Sequence, residues 1–216
     1  MSARSPMLVV GHGPVLEIAR SIASAANAPA VPRFVEVTPD LIADTDLGAL
    51  TGDARPGALA FAAVGLHALN HARSDLVARL RNSGFEAGTL VHASAFVDPT
   101  SRLAGNVLVN AGATIGPGCE IEEGAVVLDG ARIEAGARVG AYAWIGANVV
   151  IGFGASVGAH TILRPGVNLD AGVPVGDHCE LATPGLRQKA IEGSTFETPA
   201  FELPVRIFRA GRAAGA

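Results

Sequence analysis

The C-terminal two-thirds of the chain repeats one aliphatic position in every six residues. From Val91 to Leu181, each sixth residue is Val, Ile or Leu. If about half of all positions are hydrophobic, one register does this by chance on the order of once in 65,000. Three residues after each aliphatic, Gly, Asn or His is common, and the next residue is small or β-branched. Gly, Asn and His tolerate a positive φ, so a turn is predicted in every repeat.

Each six-residue repeat therefore predicts one short strand followed by a turn. The aliphatic residue points inward, the small residue fits the corner, and three repeats complete a triangular coil of about 18 residues. Stacked coils then bury one continuous core in a parallel β-solenoid. We expect the solenoid to span residues 91–186, roughly five coils, and to be followed by a tail at 187–216.

Outward-facing positions of the solenoid fall into three columns, one on each face of the triangle. One column is apolar along most of its length: Leu90, Leu108, Val126, Trp144 and Ile162. A stacked apolar stripe on a surface promotes aggregation unless something covers it. We expect this stripe to be the subunit interface of a cyclic trimer. The alternative is that the N-terminal domain or the tail of the same chain covers it.

Residues 1–90 alternate between strand-like and helix-like segments. Short apolar strands are predicted at 8–10, 33–37 and 58–64, with helices at 15–26 and 68–82. This order is typical of a small Rossmann-like β-α-β unit with a parallel sheet. We expect an α/β N-terminal subdomain that precedes the solenoid and binds the substrate.

A glycine loop, Gly11-His12-Gly13, follows the first predicted strand. The N-terminus of the next helix presents free N–H groups, which favour a phosphate or another anion. The loop supplies two glycines of a dinucleotide fingerprint, but Leu16 stands where the third would be. A dinucleotide cofactor is therefore not expected. A nucleotide-sugar phosphate at Gly11, His12 and Gly13 and a plain tight turn are the two interpretations left open.

The composition agrees with a solenoid better than with a membrane protein. The chain is 49% hydrophobic and 17% charged, with 27 Gly and a mean hydropathy of +0.37. No apolar run approaches the roughly 18 residues that a spanning helix needs. A net charge of -4 argues against nucleic acid as a partner. We expect no membrane span and a cytoplasmic protein.

Coil spacing places Cys119 and Cys179 roughly 14 Å apart, too far for a disulfide.

Four stretches of the chain resemble one family of enzymes. They are 8–13, 62–65 with Arg73 in the helix that follows, 80–85, and 90–95 leading into the coils. Together they resemble the hexapeptide-repeat sugar O- and N-acetyltransferases, typified by the sialic-acid O-acetyltransferases and the bacillosamine and perosamine N-acetyltransferases. The resemblance implies a left-handed parallel β-helix and a homotrimer whose sites lie between subunits. It also implies transfer from acetyl-CoA or another acyl-CoA to a sugar or nucleotide-sugar, without a metal.

The chain departs from that family's pattern at three positions. The family's general-base His follows an aliphatic-acid pair, but here Ile133-Glu134 is followed by Ala135. A second family His falls at Trp144. A family Gly whose amide meets the thioester carbonyl falls at Phe153. The catalytic machinery that the resemblance implies is therefore altered.

These departures leave two classes of function open. A general base raises the rate about 10²–10⁴-fold, and a hydroxyl nucleophile depends on such a base more than an amine does. A sugar amine with a pKa near about 8 is partly neutral at pH 7, so an active protein should favour N-acylation over O-acylation. The alternative is a catalytically degenerate trimeric binding or scaffold protein. A γ-class carbonic anhydrase is a distant third interpretation, because its metal-binding histidines are not matched.

Two histidines and one acid are candidates for a replacement base. His160 and His178 are one coil apart in the same turn position, which predicts rings stacked about 4.8 Å apart. Tyr142 lies one coil before His160, and Asp129 is a separate candidate acceptor. The two histidines are interpreted as a relocated base, as half of a metal site without a clear third ligand, or as turn residues replacing Asn or Gly. We expect no metal.

The other histidines outside the glycine loop have simpler predicted roles. His67 and His71 are expected on the surface at the start of a helix. His92 is expected to cap the junction between the two domains.

Overall fold

The computed structural model describes residues 6–25, 32–37, 57–66, 69–201 and 203–207. Over these ranges the chain forms an N-terminal α/β unit and a parallel β-solenoid. Neither of the two helices found there is long and apolar enough to cross a bilayer.

The N-terminal unit is a four-stranded parallel sheet in the order β2-β1-β3-β4. The chain leaves β1 for β2 on one side and returns to β3 on the other, so the sheet has a topological switch point between β1 and β3. The elements are β1 (Leu8–Gly11), α1 (Gly13–Ala25), β2 (Arg33–Glu36), β3 (Leu59–Ala63), α2 (His71–Asn82) and β4 (Glu86–Ala87).

Alternation along the strands places one helix on each face of this sheet. Val9 and Phe61 pack with α1, whereas Leu8, Val10 and Ala62 pack with α2. Successive side chains of a strand point to opposite faces, so a strand buried on both faces is apolar throughout. The predicted β-α-β unit is therefore present as a layered α/β domain.

The solenoid has three faces, each a sheet of stacked strands. Face 1 contains β5 (Leu90–Val91), β8 (Leu108–Val109), β11 (Val126–Val127), β14 (Trp144–Ile145), β17 (Ile162–Leu163), β20 (Glu180–Leu181), β22 (Thr195–Glu197) and β23 (Val205–Arg206). Face 2 contains β6 (Phe96–Val97), β9 (Thr114–Ile115), β12 (Arg132–Ile133), β15 (Val150–Ile151), β18 (Val167–Leu169) and β21 (Gly185–Arg187). Face 3 contains β7 (Arg102–Leu103), β10 (Glu120–Ile121), β13 (Arg138–Val139), β16 (Ser156–Val157) and β19 (Pro174–Val175).

The strand register confirms the predicted coil. On face 1, Val127 pairs with Val109 on one side and Ile145 on the other, each one coil away. The aliphatics of the six-residue register and the small corner residues form one buried core cluster. Turn residues such as Asn106 and Asn148 adopt φ near 55–56°, which places the predicted positive-φ turns where the spacing puts them.

The parallel ladder continues past residue 186, into the segment predicted as a tail. Strand β22 pairs in parallel with β20, and an isolated parallel bridge joins Val175 to Ile191. Strand β23 then returns antiparallel to β22. The residues beyond 207 lie outside the described part of the chain.

The apolar stripe on face 1 is not a free subunit interface, so the trimer interface predicted there is wrong. The N-terminal unit of the same chain covers it, chiefly through Val15, Leu16 and Ala19 of α1. All five stripe residues are buried, and even Trp144 is only 9% exposed. The physical reason is that α1 has an apolar face that also needs cover, and covalent connection keeps it close to the stripe. The buried residues are Leu90, Leu108, Val126, Trp144 and Ile162.

Candidate functional site

The glycine loop lies where β1 and β3 approach each other most closely. A Cβ on Gly11 would overlap the carbonyl oxygen of Ala63. The N–H of the next residue, His12, donates to that same oxygen at 3.1 Å. Gly13 starts α1 with a φ of +62°, and a Cβ there would meet no heavy atom of the described residues within 4 Å. Gly11 therefore permits the strand contact, while Gly13 borders open space.

Because β1 ends at Gly11 and β3 ends at Ala63, this space lies where a parallel sheet is expected to form a crevice at the carboxyl ends of its strands. Ligands of open α/β sheets bind in that crevice at the switch point. The first turn of α1 contains no acidic residue, so its N–H groups and helix dipole favour an anion. Glu36 lies at the same edge of the sheet, paired in register with Gly11. The arrangement fits a ligand that carries a phosphate.

Arg73 of α2 fixes the end of β3 against the solenoid. Its side chain is fully buried, and Nη1 donates to the carbonyl oxygen of Val64 at 3.0 Å. Nη2 donates to the carbonyl oxygen of Tyr142 at 3.2 Å. Burial lowers the pKa of the guanidinium to about 9. The guanidinium carbon also lies 5.8 Å from the ring centroid of Trp144, so Arg73 connects the crevice strand to face 1.

The positions of the altered family pattern lie on the edge between faces 2 and 3. Ala135 is half-buried, and its carbonyl oxygen accepts the N–H of Gly154 from the next coil at 3.0 Å. The side chain of Phe153 is 64% exposed. Its backbone N–H donates to Oε2 of Glu134 at 3.1 Å. An alanine side chain transfers no proton, and the Phe153 N–H already donates to Glu134. The second family His position, Trp144, lies instead in the packing against α1.

Asp129 lies on a different edge, between faces 1 and 2. It is exposed, and its Oδ1 accepts the side-chain amide of Asn110 at 2.9 Å. The structure does not bring Asp129 together with Ala135 or with the paired histidines, because each occupies a separate edge of the triangular coil.

His160 and His178 lie on the third edge, between faces 3 and 1. Their rings stack with centroids 5.2 Å apart and planes 10° from parallel, which confirms the predicted stacking. The ring of Tyr142 lies 5.3 Å from that of His160. The Tyr142 hydroxyl donates to Glu123 at 2.9 Å, and Glu123 also pairs with Arg81 of α2.

A third histidine, His71 of α2, joins this edge. It is exposed, as predicted, but its ring stacks on His160 at 4.1 Å and lies 5.6 Å from His178. Sequence reasoning missed this contact because it forms between two units that are distant along the chain. The other histidine of that segment, His67, lies outside the described residues.

The protonation of His160 follows from its partners. Its Nδ1 lies 3.0 Å from the carbonyl oxygen of Leu69. A carbonyl only accepts, so Nδ1 carries the hydrogen and Nε2 keeps the lone pair in the neutral ring. Burial is the main cause that lowers the pKa of His160 below its ordinary value. In the neutral ring Nε2 therefore keeps its lone pair as an acceptor, and burial makes the ring harder to protonate.

Comparisons with known proteins show which folds this geometry resembles. A family model described as the GMPPB C-terminal domain matches residues 85–179, most of the solenoid. No curated protein gives a significant match. A solved structure of GDP-perosamine N-acetyltransferase from Caulobacter crescentus, a His-to-Ala variant in complex with CoA and GDP-perosamine, superposes with a TM-score of 0.79. It is 24% identical and the alignment covers 89% of this chain and 92% of that one.

A second structure, PerB from Caulobacter crescentus in complex with CoA and GDP-perosamine, gives a TM-score of 0.72 at 23% identity. The alignment covers 89% of this chain and 93% of that chain. This chain has their fold. The predicted left-handed β-helix with an N-terminal α/β unit is thereby confirmed, as is the resemblance at the level of fold.

Proposed function

We propose that this protein transfers an acyl group from acyl-CoA to an amino group of a sugar carried on a nucleotide, in surface-glycan biosynthesis. The observation that carries the proposal is the shared two-unit fold, over 89% of this chain, with an N-acetyltransferase crystallised with CoA and GDP-perosamine. The reaction uses acetyl-CoA or another acyl-CoA as co-substrate and needs no metal for the transfer. Since acyl-CoA is available in the cytoplasm, the proposal places the protein there.

The crevice beside Gly11, His12 and Gly13 is the proposed nucleotide-sugar site. Open space above Gly13 and an acid-free first turn of α1 suit the phosphates of a nucleotide. Half-buried His12 adds a ring nitrogen at the same loop. Glu36 lies at the same edge of the sheet, paired with Gly11. Its carboxylate can accept a hydrogen bond from a ribose hydroxyl.

The loss of a histidine at Ala135 does not exclude ligand binding. The Caulobacter crescentus structure with a His-to-Ala change is a complex with both CoA and GDP-perosamine. With no base at Ala135, a partly neutral sugar amine attacks the thioester carbonyl and CoA leaves as the thiol, while orientation of the two substrates supplies most of the rate. The absence of a base at Ala135 is why we propose an amine as the acceptor instead of a hydroxyl.

His160, His178 and Asp129 are the candidates for a replacement base. Of the three, His160 is supported best, because its neutral ring presents Nε2 as an acceptor. Substitution by Gly at 160 keeps the left-handed turn, since Gly124 already occupies the same turn position two coils earlier. If His160 is the base, His160→Gly lowers kcat about 10²–10⁴-fold with little change in KM. Unchanged turnover removes it from the mechanism.

We propose that the active form is a homotrimer. The supporting arguments are the solenoid fold and the exposed aromatic side chains away from α1, such as Phe96 and Phe153, which are 57% and 64% exposed. With face 1 covered by α1, faces 2 and 3 and their edges remain for subunit contact.

The alternative is a catalytically degenerate binding or scaffold protein with the same fold. Two observations favour it: Ala135 carries no proton-transfer group, and the Phe153 N–H is taken by Glu134 instead of facing a thioester. Both proposals predict the same crevice, and they differ in acyl-CoA binding and in turnover.

Calorimetric titration with acetyl-CoA, followed by thiol release in the presence of amino-sugar nucleotides, separates the two proposals. Binding with thiol release and a matching mass increase of the sugar supports the transferase. Nucleotide-sugar binding without any acyl-CoA binding supports the scaffold protein and overturns the transferase.

A gain-of-function variant tests the site on the edge between faces 2 and 3. Ala135→His restores a base after Glu134, so we expect turnover to rise by about 10²–10⁴ if the reaction occurs there. Ala135→Gln, of similar size but without a base, is the matched control. Equal rates for the two variants would place the chemistry elsewhere.

A further inference from the structure

Three imidazole rings from two parts of the molecule meet on the edge between faces 3 and 1. His160 and His178 come from adjacent coils, and His71 comes from the first turn of α2. Each offers a ring nitrogen, and these ligand atoms all lie within 4.8 Å of one another. The proposed acyl transfer does not require the three rings to meet, and a metal held by Nε2 of His160 would take that nitrogen out of use as a base.

We propose that His71, His160 and His178 form a binding site for a transition-metal dication of the Zn²⁺ class. Neutral imidazole is a preferred ligand of Zn²⁺, Ni²⁺, Cu²⁺ and Co²⁺, whereas Mg²⁺ and Ca²⁺ prefer oxygen. Three histidines supply three of four tetrahedral positions, and the exposed side of His71 leaves the fourth to water.

His160 is already oriented as a metal-binding histidine is. Its Nδ1–H donates to the Leu69 carbonyl oxygen at 3.0 Å, which fixes the tautomer and leaves Nε2 as the ligand atom. Histidine ligands generally hold their second nitrogen in this way, with a carbonyl or a carboxylate as the acceptor. Leu69 belongs to the turn before α2, so the same short segment orients His160 and supplies His71.

The three rings must rearrange modestly to bind a metal. Tetrahedral ligands at about 2.0–2.1 Å from Zn²⁺ lie about 3.3 Å from each other. The present rings are stacked, with planes 10–25° from parallel, so their nitrogens converge only after the rings rotate. The exposed His71 on the helix surface is the ring with most freedom to do so.

The surrounding charges set the strength of this site. Among the described residues the cluster includes no thiolate or carboxylate ligand. The guanidinium of Arg73 acts on His160 as a positive charge. We therefore expect weaker binding than at a closed site of cysteine thiolates. A bound metal stabilises the folded chain by mass action, because it connects α2 to the solenoid.

Equilibrium dialysis of tag-free protein against Zn²⁺, with Co²⁺ absorption as a second probe of coordination, tests the proposal. We expect one metal per chain, a tetrahedral Co²⁺ spectrum and a higher melting temperature with metal. His71→Ala, His160→Gly and His178→Gly should each weaken binding at least tenfold. Glycine is used at 160 and 178 because both residues have φ near 55°, where glycine is unstrained.

His92→Ala is the matched control, because His92 lies at the start of the solenoid and hydrogen-bonds to Ser94. Its metal binding should equal that of the unchanged chain. The absence of stoichiometric uptake overturns the proposal, as does uptake that persists in the double variant His160→Gly/His178→Gly. The readouts do not depend on acyl transfer, so failure here leaves the proposed function standing.

Discussion

At the scale of single residues, glycine and the turn histidines show how backbone geometry selects the side chain. Gly11 is required by the neighbouring strand, whereas Gly13 is required by its own positive φ. Gly124, His160 and His178 occupy the same turn position in different coils. The two histidines adopt the same left-handed turn as the glycine, although they carry large side chains. The spacing predicted these turns, because φ is a local property of each repeat.

Gly11→Ala should disrupt the N-terminal unit. The added Cβ would overlap the Ala63 carbonyl, so β1 and β3 must separate. We expect a loss of stability of about 1–3 kcal/mol or more, measured by denaturant unfolding, together with loss of nucleotide-sugar binding. Leu59→Ala, at a 42% exposed position of β3, is the control and should change stability far less. Native-like stability of Gly11→Ala would contradict the strand contact.

The two cysteines should be unreactive in the folded chain. Cys119 and Cys179 are free and have no exposed surface, and burial raises the pKa of both thiols. The thiolate is the reactive form, so a thiol reagent at pH 8 should label neither residue until denaturant is added. After unfolding, both of the chain's 2 cysteines should react. Rapid labelling of native protein would show that the coils open locally.

At the scale of elements, α1 and the face 1 stripe complete each other. The stripe is apolar because it receives a helix, not because it meets another subunit. Arg73 strengthens the same junction by donating to backbone carbonyls on both sides. The sequence located the stripe correctly, but its partner depended on how α1 packs.

Trp144→Glu should destabilise the junction between α1 and the solenoid. Truncating a buried Trp typically costs about 3–5 kcal/mol, and a buried carboxylate adds a desolvation cost. Unfolding should therefore begin at lower denaturant. Leu59→Glu, which changes a 42% exposed apolar residue of β3, is the control for stability. Trimers that dissociate into fully stable Trp144→Glu monomers would show that the stripe is an interface after all.

At the scale of the whole molecule, the N-terminal unit and the solenoid pack against each other along face 1. The edge with Ala135 and the histidine edge are separate edges of the triangular coil. Because one chain keeps these two candidate sites apart, their separation is a further reason to propose a trimer. Neighbouring subunits can bring the crevice of one chain to the edge of another.

Light scattering should give three times the chain mass of 21.8 kDa. The trimer should persist when Phe34, which packs with the α1 cluster inside one chain, is changed to Leu. A mass equal to one chain at assay concentrations, in a sample that is active, would remove the trimer and any site between subunits.

The sequence by itself determined the solenoid, its register, the turn positions and the stacked pair His160 and His178. All of these follow from a six-residue period, and each repeat contacts only its neighbours. Only the tertiary structure decided that α1 covers the stripe at Trp144, that the ladder runs on to β22, and that His71 meets the histidine pair. These contacts join segments that the six-residue repeat does not relate to each other. Their pairing therefore depends on which apolar surfaces are complementary in shape and bury the most area.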